Sequence, residues 1–113
     1  MDDRHPIPMT SEHFDDDQRF LAQGAQKAAS LLRAISNEYR LQVLCLLIEQ
    51  GEITVGGLLQ RISLSQSALS QHLAKMREEG LVAFRRESQT LYYRIDNPDV
   101  EKIIATLKSI YRP

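Results

Sequence analysis

At Gly80 the spacing of apolar residues changes. Before it, Val55, Leu58, Leu59 and Ile62, and then Leu69, Leu73 and Met76, recur at helical steps; after it, Leu81 to Arg86 and Leu91 to Ile95 alternate with period two. The first helical stretch begins at Thr54, a residue able to cap it, and is parted from the second only by Ser63-Leu64-Ser65, where Ser63 and Gln66 have capping-box spacing. The second stretch, from about Gln66 to Glu79, stops at Gly80, and Glu87-Ser88-Gln89-Thr90 is polar enough to turn the chain between two strands. Helix, three-residue turn, helix and hairpin in immediate succession leave few ways to build a core.

The rest of the chain supplies that core. Asn37 can cap a helix whose Leu41, Val43, Leu44, Leu46, Leu47 and Ile48 are apolar nearly all round, ending at Gln50-Gly51, so this helix is expected at the centre. Leu21, Ala25, Ala28, Leu32 and Ile35 form a narrow apolar seam on an earlier helix, and Val100, Ile103, Ile104, Leu107 and Tyr111 form another after Asn97-Pro98. Narrow seams suit partner helices. The expected class is mainly α with a β-hairpin, in the order α-α-α-α-β-β-α, with residues 1–14 as a flexible acidic tail and 15–113 as the folded domain.

A chain of 113 residues supports one small core and leaves little room for an enclosed cleft between lobes. No run approaches the ~18 apolar residues of a membrane span, and the N-terminal residues lack a basic start and an apolar stretch. One cysteine, Cys45, rules out an internal disulfide framework and fits a reducing compartment, so the expected location is cytoplasmic.

The net charge of −1 conceals a split: residues 1–20 hold six acids and two bases, whereas residues 61–95 hold six bases and three acids. That basic block contains the helix, turn, helix and hairpin, which points to an anionic partner there. On the second helix Leu69, Leu73 and Met76 share one face, and the opposite side carries Ser67, Gln71 and Ala74, flanked by Gln66, Ala68, Ser70 and Lys75. Small polar side chains let a helix axis approach the floor of the major groove, and Gln71 can hydrogen-bond a base edge such as adenine's. Lys75, Arg85, Arg86 and Arg94 have the reach and charge for phosphates, and Gln89 at the hairpin tip can enter the neighbouring minor groove. Simple solvation also produces polar helix faces; the charge block and the adjoining hairpin favour double-stranded DNA. His72, at the edge of the apolar stripe, is read as a half-buried packing residue.

NEYRLQVLCLL from Asn37, SLSQSALSQHLAKMREEGLV from Ser63 and RRESQTLYYRI from Arg85 resemble the ArsR/SmtB family of bacterial winged helix-turn-helix transcriptional regulators, over about residues 20–113. The resemblance implies a homodimer joined through its first and last helices, with Leu21, Ala25, Ala28, Leu32, Val100, Ile104, Leu107 and Tyr111 at the interface, on an operator of two-fold symmetry. Many members bind metals through thiolates on the short helix, but here the corresponding positions are Thr54 and Gly56, and the last helix lacks histidine, so no metal and no cofactor are expected. Cys45 places the chain nearest the branch that includes regulators of haemolysin and of sulfide or biofilm genes, in which a cysteine here pairs with another just before the C-terminus. Arg112 stands at that second position, which leaves Cys45 as a candidate redox thiol limited to sulfenic acid or a mixed disulfide, or as a small buried hydrophobe.

Two functions therefore stand. One is a sequence-specific DNA-binding regulator; the alternative is a winged-helix interaction module that binds protein and does not read DNA, favoured by the acidic tail and overall charge. No catalytic residues are expected: Cys45 and His72 are the only nucleophile and base worth pairing, and no oxyanion motif lies between them.

Overall fold

The computed structural model describes residues 11–112, with side chains from residue 15. Its elements are α1 (Ser11–Arg19), a π-helical segment (Phe20–Gly24), α2 (Ala25–Ile35), α3 (Glu38–Gln50), β1 (Ile53–Thr54), α4 (Val55–Leu59), α5 (Gln66–Glu78), β2 (Val82–Glu87), β3 (Thr90–Ile95) and α6 (Asp99–Tyr111). The chain forms two compact units, one up to Arg33 and one from Ala34 on.

In the first unit, helix begins earlier than expected. Residues 1–10 of the anticipated tail lie outside the described residues, and 11–14 open α1. This helix has no apolar period to read; Asp15, Asp16 and Asp17 precede Arg19, which pairs with Asp16 one turn back, an order of charges that suits the helix dipole. At the π-helical segment Gly24 leaves room for Phe20: a Cβ there would meet the ring at 2.7 Å.

The second unit is built around α3. Asn37 caps it as expected, its side chain accepting from the backbone N–H groups of Tyr39 and Arg40 at 2.9 and 3.1 Å. Leu44 and Leu47 of α3, Leu58 of α4, Leu69, Leu73 and Met76 of α5 and Val100 of α6 are fully buried. Each such side chain contributes about 1.5–3 kcal/mol on leaving water, which makes this one continuous core.

The sheet has three strands where two were expected. Ile53 and Thr54 pair antiparallel with Tyr93 and Tyr92, giving the order β1-β3-β2. Two residues cannot display an alternating period, and Thr54 was already accounted for as the cap of α4, accepting from Gly57 N–H at 3.0 Å. At the other end of α5 the helix stops by a paired cap: Gly80 N–H donates to Arg77 O at 3.0 Å and Leu81 N–H to Met76 O at 2.9 Å. That cap needs a left-handed residue, and Gly80 has φ 77°. The chain leaves it directly into β2.

Candidate nucleic-acid interface

Helix α5 is started by Ser65, whose hydroxyl accepts from Ala68 N–H at 3.2 Å; Ser63, the capping residue expected from spacing, lies outside the helix. Capping-box spacing alone points two residues too early; the helix begins at Gln66, which makes Ser65 its cap, and Leu69 is buried one turn in. Leu69, Leu73 and Met76 anchor the inner face, so Gln66, Ser67, Ser70, Gln71 and Lys75 are all turned outward and exposed. The Ser67 hydroxyl lies 3.4 Å from that of Ser65, and the Lys75 amine 3.9 Å from Glu78. Gln66, Ser70 and Gln71 make no side-chain hydrogen bond among the described residues, which leaves their donors and acceptors available.

His72, one residue from Gln71, packs as expected. Its Nδ1 accepts from Arg40 Nε at 3.0 Å, while Arg40 Nη1 donates to the Ala34 carbonyl at 3.0 Å. Accepting at Nδ1 requires the neutral ring with its proton on Nε2. Burial, and then the Arg40 charge, push the His72 pKa below its ordinary value. Arg40 thus ties α5 to the start of α3.

The wing separates its arginines. Val82 pairs with Ile95, Phe84 with Tyr93 and Arg86 with Leu91, so these six side chains share the face toward the core. Ala83 with Arg94, Arg85 with Tyr92 and Glu87 with Thr90 occupy the outer face. Glu52, just before β1, reaches Arg85 on that outer face: Nε to Oε2 at 2.9 Å and Nη2 to Oε1 at 3.1 Å, a two-pronged pair. Glu87 adds a contact at 3.5 Å, and the guanidinium lies over the Tyr92 ring at 4.3 Å. The hydrogen bond from Arg85 holds the Glu52 carboxyl below its usual range, and the same bond raises Arg85.

Arg85, expected to serve phosphates, is already engaged within its own chain. Two carboxylates and an aromatic ring already hold it, because β1 brings an acid that no local pattern connects to the hairpin. Arg86 and Arg94 are exposed and form no ion pair among the described residues. Gln89 stands at the two-residue tip beside Ser88, which adopts φ 61°. Arg77, overlooked in the sequence, stacks on Phe84 of the core-side face at 5.0 Å and joins the end of α5 to the wing. The parity of β2 was the available signal: Phe84 and Arg86 must point the same way.

The seam on α6 also divides. Val100 and Ile104, expected at an interface, are 0% and 2% exposed and belong to the core of their own chain. Leu107 is half-buried and Tyr111 is 77% exposed, as is neighbouring Ile110 at 62%. In the first unit Ala25 and Ala28 are half-buried, and Leu21 and Leu32 are exposed. Cys45 is half-buried rather than sealed in the core, and it borders a cavity that Arg112 also lines.

A family profile described as "Bacterial regulatory protein, arsR family" matches residues 37–83, from the cap of α3 to the second residue of β2. The transcriptional activator HlyU of Vibrio cholerae is 46% identical over 91 residues, spanning 80% of this chain and 83% of that one. The chain belongs to the ArsR family. Among solved structures similar to this regulator, reduced HlyU from Vibrio cholerae superposes with a TM-score of 0.77 at 44% identity, covering 84% of this chain and 99% of that one. The transcriptional repressor BigR from Xylella fastidiosa also gives 0.77, at 35% identity, covering 93% and 99%. The mainly helical winged helix-turn-helix architecture and the regulatory class expected from the residues are those of these proteins. No helix among the described residues is long and apolar enough to cross a membrane.

Proposed function

We propose that this ArsR-family regulator acts in the cytoplasm as a homodimer that occupies a two-fold symmetric DNA operator. The observation that carries the reading is the outward face of α5. Gln66, Ser70 and Gln71 are exposed on a rigid, core-anchored helix, with no internal partner for their polar groups among the described residues. Such a face reads base edges in the major groove, with Gln71 as the central contact, while Lys75, Arg86 and Arg94 meet phosphates and Gln89 reaches a flanking minor groove. The exposed residues of the two seams, Leu21, Leu32, Leu107 and Tyr111, supply the apolar surface that a second copy would cover. Similar proteins are named both as an activator and as a repressor, so the proposal is operator occupancy, with either sign of control.

Cys45 is the only thiol, so any redox response passes through sulfenic acid or a mixed disulfide at that position. The test is selection of genomic fragments by the purified protein, with and without a thiol oxidant. Enrichment of a short inverted repeat with half-sites about 34–36 Å apart, lost as salt rises, is the expected result. Absence of enrichment at moderate salt would replace this reading with the protein-interaction module. Retention of the repeat after oxidation, or its equal loss in Cys45→Ser, would remove the thiol from the proposal.

A further inference from the structure

We infer that Arg40 is a positioning residue for DNA recognition: through His72 it fixes the rotation of α5 about its own axis, and with it the direction in which Ser70 and Gln71 face. The inference rests on the operator reading and gives Arg40 no contact with DNA. Its ground is the kind of contact that α5 makes on each side of its buried stripe.

Leu69, Leu73 and Met76 set the depth of the helix. Apolar burial is non-directional, so a small roll of α5 keeps nearly the same area covered. A hydrogen bond weakens steeply with distance and angle and resists that roll. At about 100° per residue, His72 lies on one flank of the stripe and Arg77 on the other. The contact at Arg77 is a stack on the Phe84 ring at 5.0 Å, whereas His72 Nδ1 accepts from Arg40 Nε at 3.0 Å. The directional restraint therefore sits beside Gln71, the next residue in the chain.

Arg40 is suited to that task because it is itself held. Its backbone N–H donates to the Asn37 cap at 3.1 Å, and its Nη1 donates to the Ala34 carbonyl at 3.0 Å, so the guanidinium is fixed to the corner between α2 and α3 before it reaches His72. It is half-buried, and among the described residues no carboxylate lies within 4.0 Å to draw it away. Burial and the Arg40 charge favour the neutral ring that accepts the bond. A packing role alone affects stability; a positioning role also affects discrimination between DNA sequences.

The test titrates the full-length protein with the inverted repeat recovered by genomic selection and with a scrambled duplex of the same length and composition; the readout is the ratio of the two affinities, with urea midpoints as the folding control. Arg40→Met should lower the ratio about tenfold, the worth of one hydrogen bond from a charged donor, and leave the affinity for scrambled DNA and its salt slope unchanged. Arg40→Lys should do the same, because one amine does not reproduce the forked reach to His72 and Ala34. His72→Leu should match these losses and add nothing to Arg40→Met, whereas His72→Asn, whose amide oxygen can accept in place of Nδ1, should keep the ratio near that of the unmodified protein. An unchanged ratio in folded Arg40→Met, or a full ratio in Arg40→Lys, would overturn the inference. Parallel losses on both duplexes with a lower salt slope would make Arg40 a phosphate contact and also overturn it. If Arg40→Met does not fold, equal ratios in His72→Leu and His72→Asn overturn it instead. An unmodified protein that binds both duplexes equally would remove the operator reading first, and this inference with it.

Discussion

Helix α5 and the wing lie side by side and present polar groups in different states. On α5 the apolar residues occupy one stripe, and among the described residues the outward Gln66, Ser70 and Gln71 keep their polar groups free to meet a partner. On the wing, cross-strand neighbours are close enough to satisfy one another, and the residue before the third strand, Glu52, reaches the outer face; Arg85 is paired at the surface within its own chain while Arg86, one residue on, is not. A positive charge counted in a strand is thus an upper bound on what DNA can use. A polar side chain on an exposed helical face is nearer the true value, because its neighbours at one and two residues point elsewhere.

The largest expected effect comes from removing the anchor of the helical face. Leu73→Ala should lower unfolding free energy by about 2–5 kcal/mol in urea titration, since the buried side chain leaves a cavity beneath α5. An unchanged midpoint would mean that the outward face is not held by this stripe. Next, Gln71→Ala should cost about 1–3 kcal/mol on the operator and little on random DNA. Equal losses on both would make α5 another charge-free positioning surface and dissolve its contrast with the wing.

Smaller still is the separation of the two adjacent arginines. Arg86→Ala should weaken binding to all DNA and reduce the salt slope by about one, whereas Arg85→Ala should leave the slope nearly unchanged. Glu52→Gln sharpens this by releasing Arg85, and the slope should then steepen toward one additional contact. Matching slopes for the Arg85 and Arg86 variants would show that the ion pair opens on DNA.

The smallest effect is a pH dependence in the helix itself. His72 has its pKa lowered in the folded state, so the unfolded chain takes up the proton first as pH falls. Its contribution to stability should be complete above about pH 6.5 and should diminish below it, with His72→Gln flattening that part of the urea profile. An unaltered profile in the variant would assign the acid sensitivity to other groups.

Much of the fold was legible because its signals are local. Asn37 and Thr54 cap where their side chains reach the next turn, Gly80 ends α5 where a left-handed residue is needed, and the change of period at that point marks the wing. The outward polar face of α5 followed from the buried stripe opposite it. Helix α1 was not legible, since an almost wholly polar segment has no apolar period, and β1 was too short to have one. The capping-box spacing picked Ser63, whereas the hydroxyl that reaches the first turn is that of Ser65.

What the sequence by itself determined is therefore the elements from α2 to α6 other than β1, the outward polar face of α5 and the family pattern that runs through it. Each depends on residues within one turn or one hairpin of each other. Only the tertiary structure decided which groups were already used: Arg85 by Glu52, thirty-three residues away, His72 by Arg40, and Val100 and Ile104 by their own core. Periodicity identifies the face a side chain occupies, but whether that face meets water, a partner or its own chain depends on contacts between distant segments, and those exist only once the chain has folded.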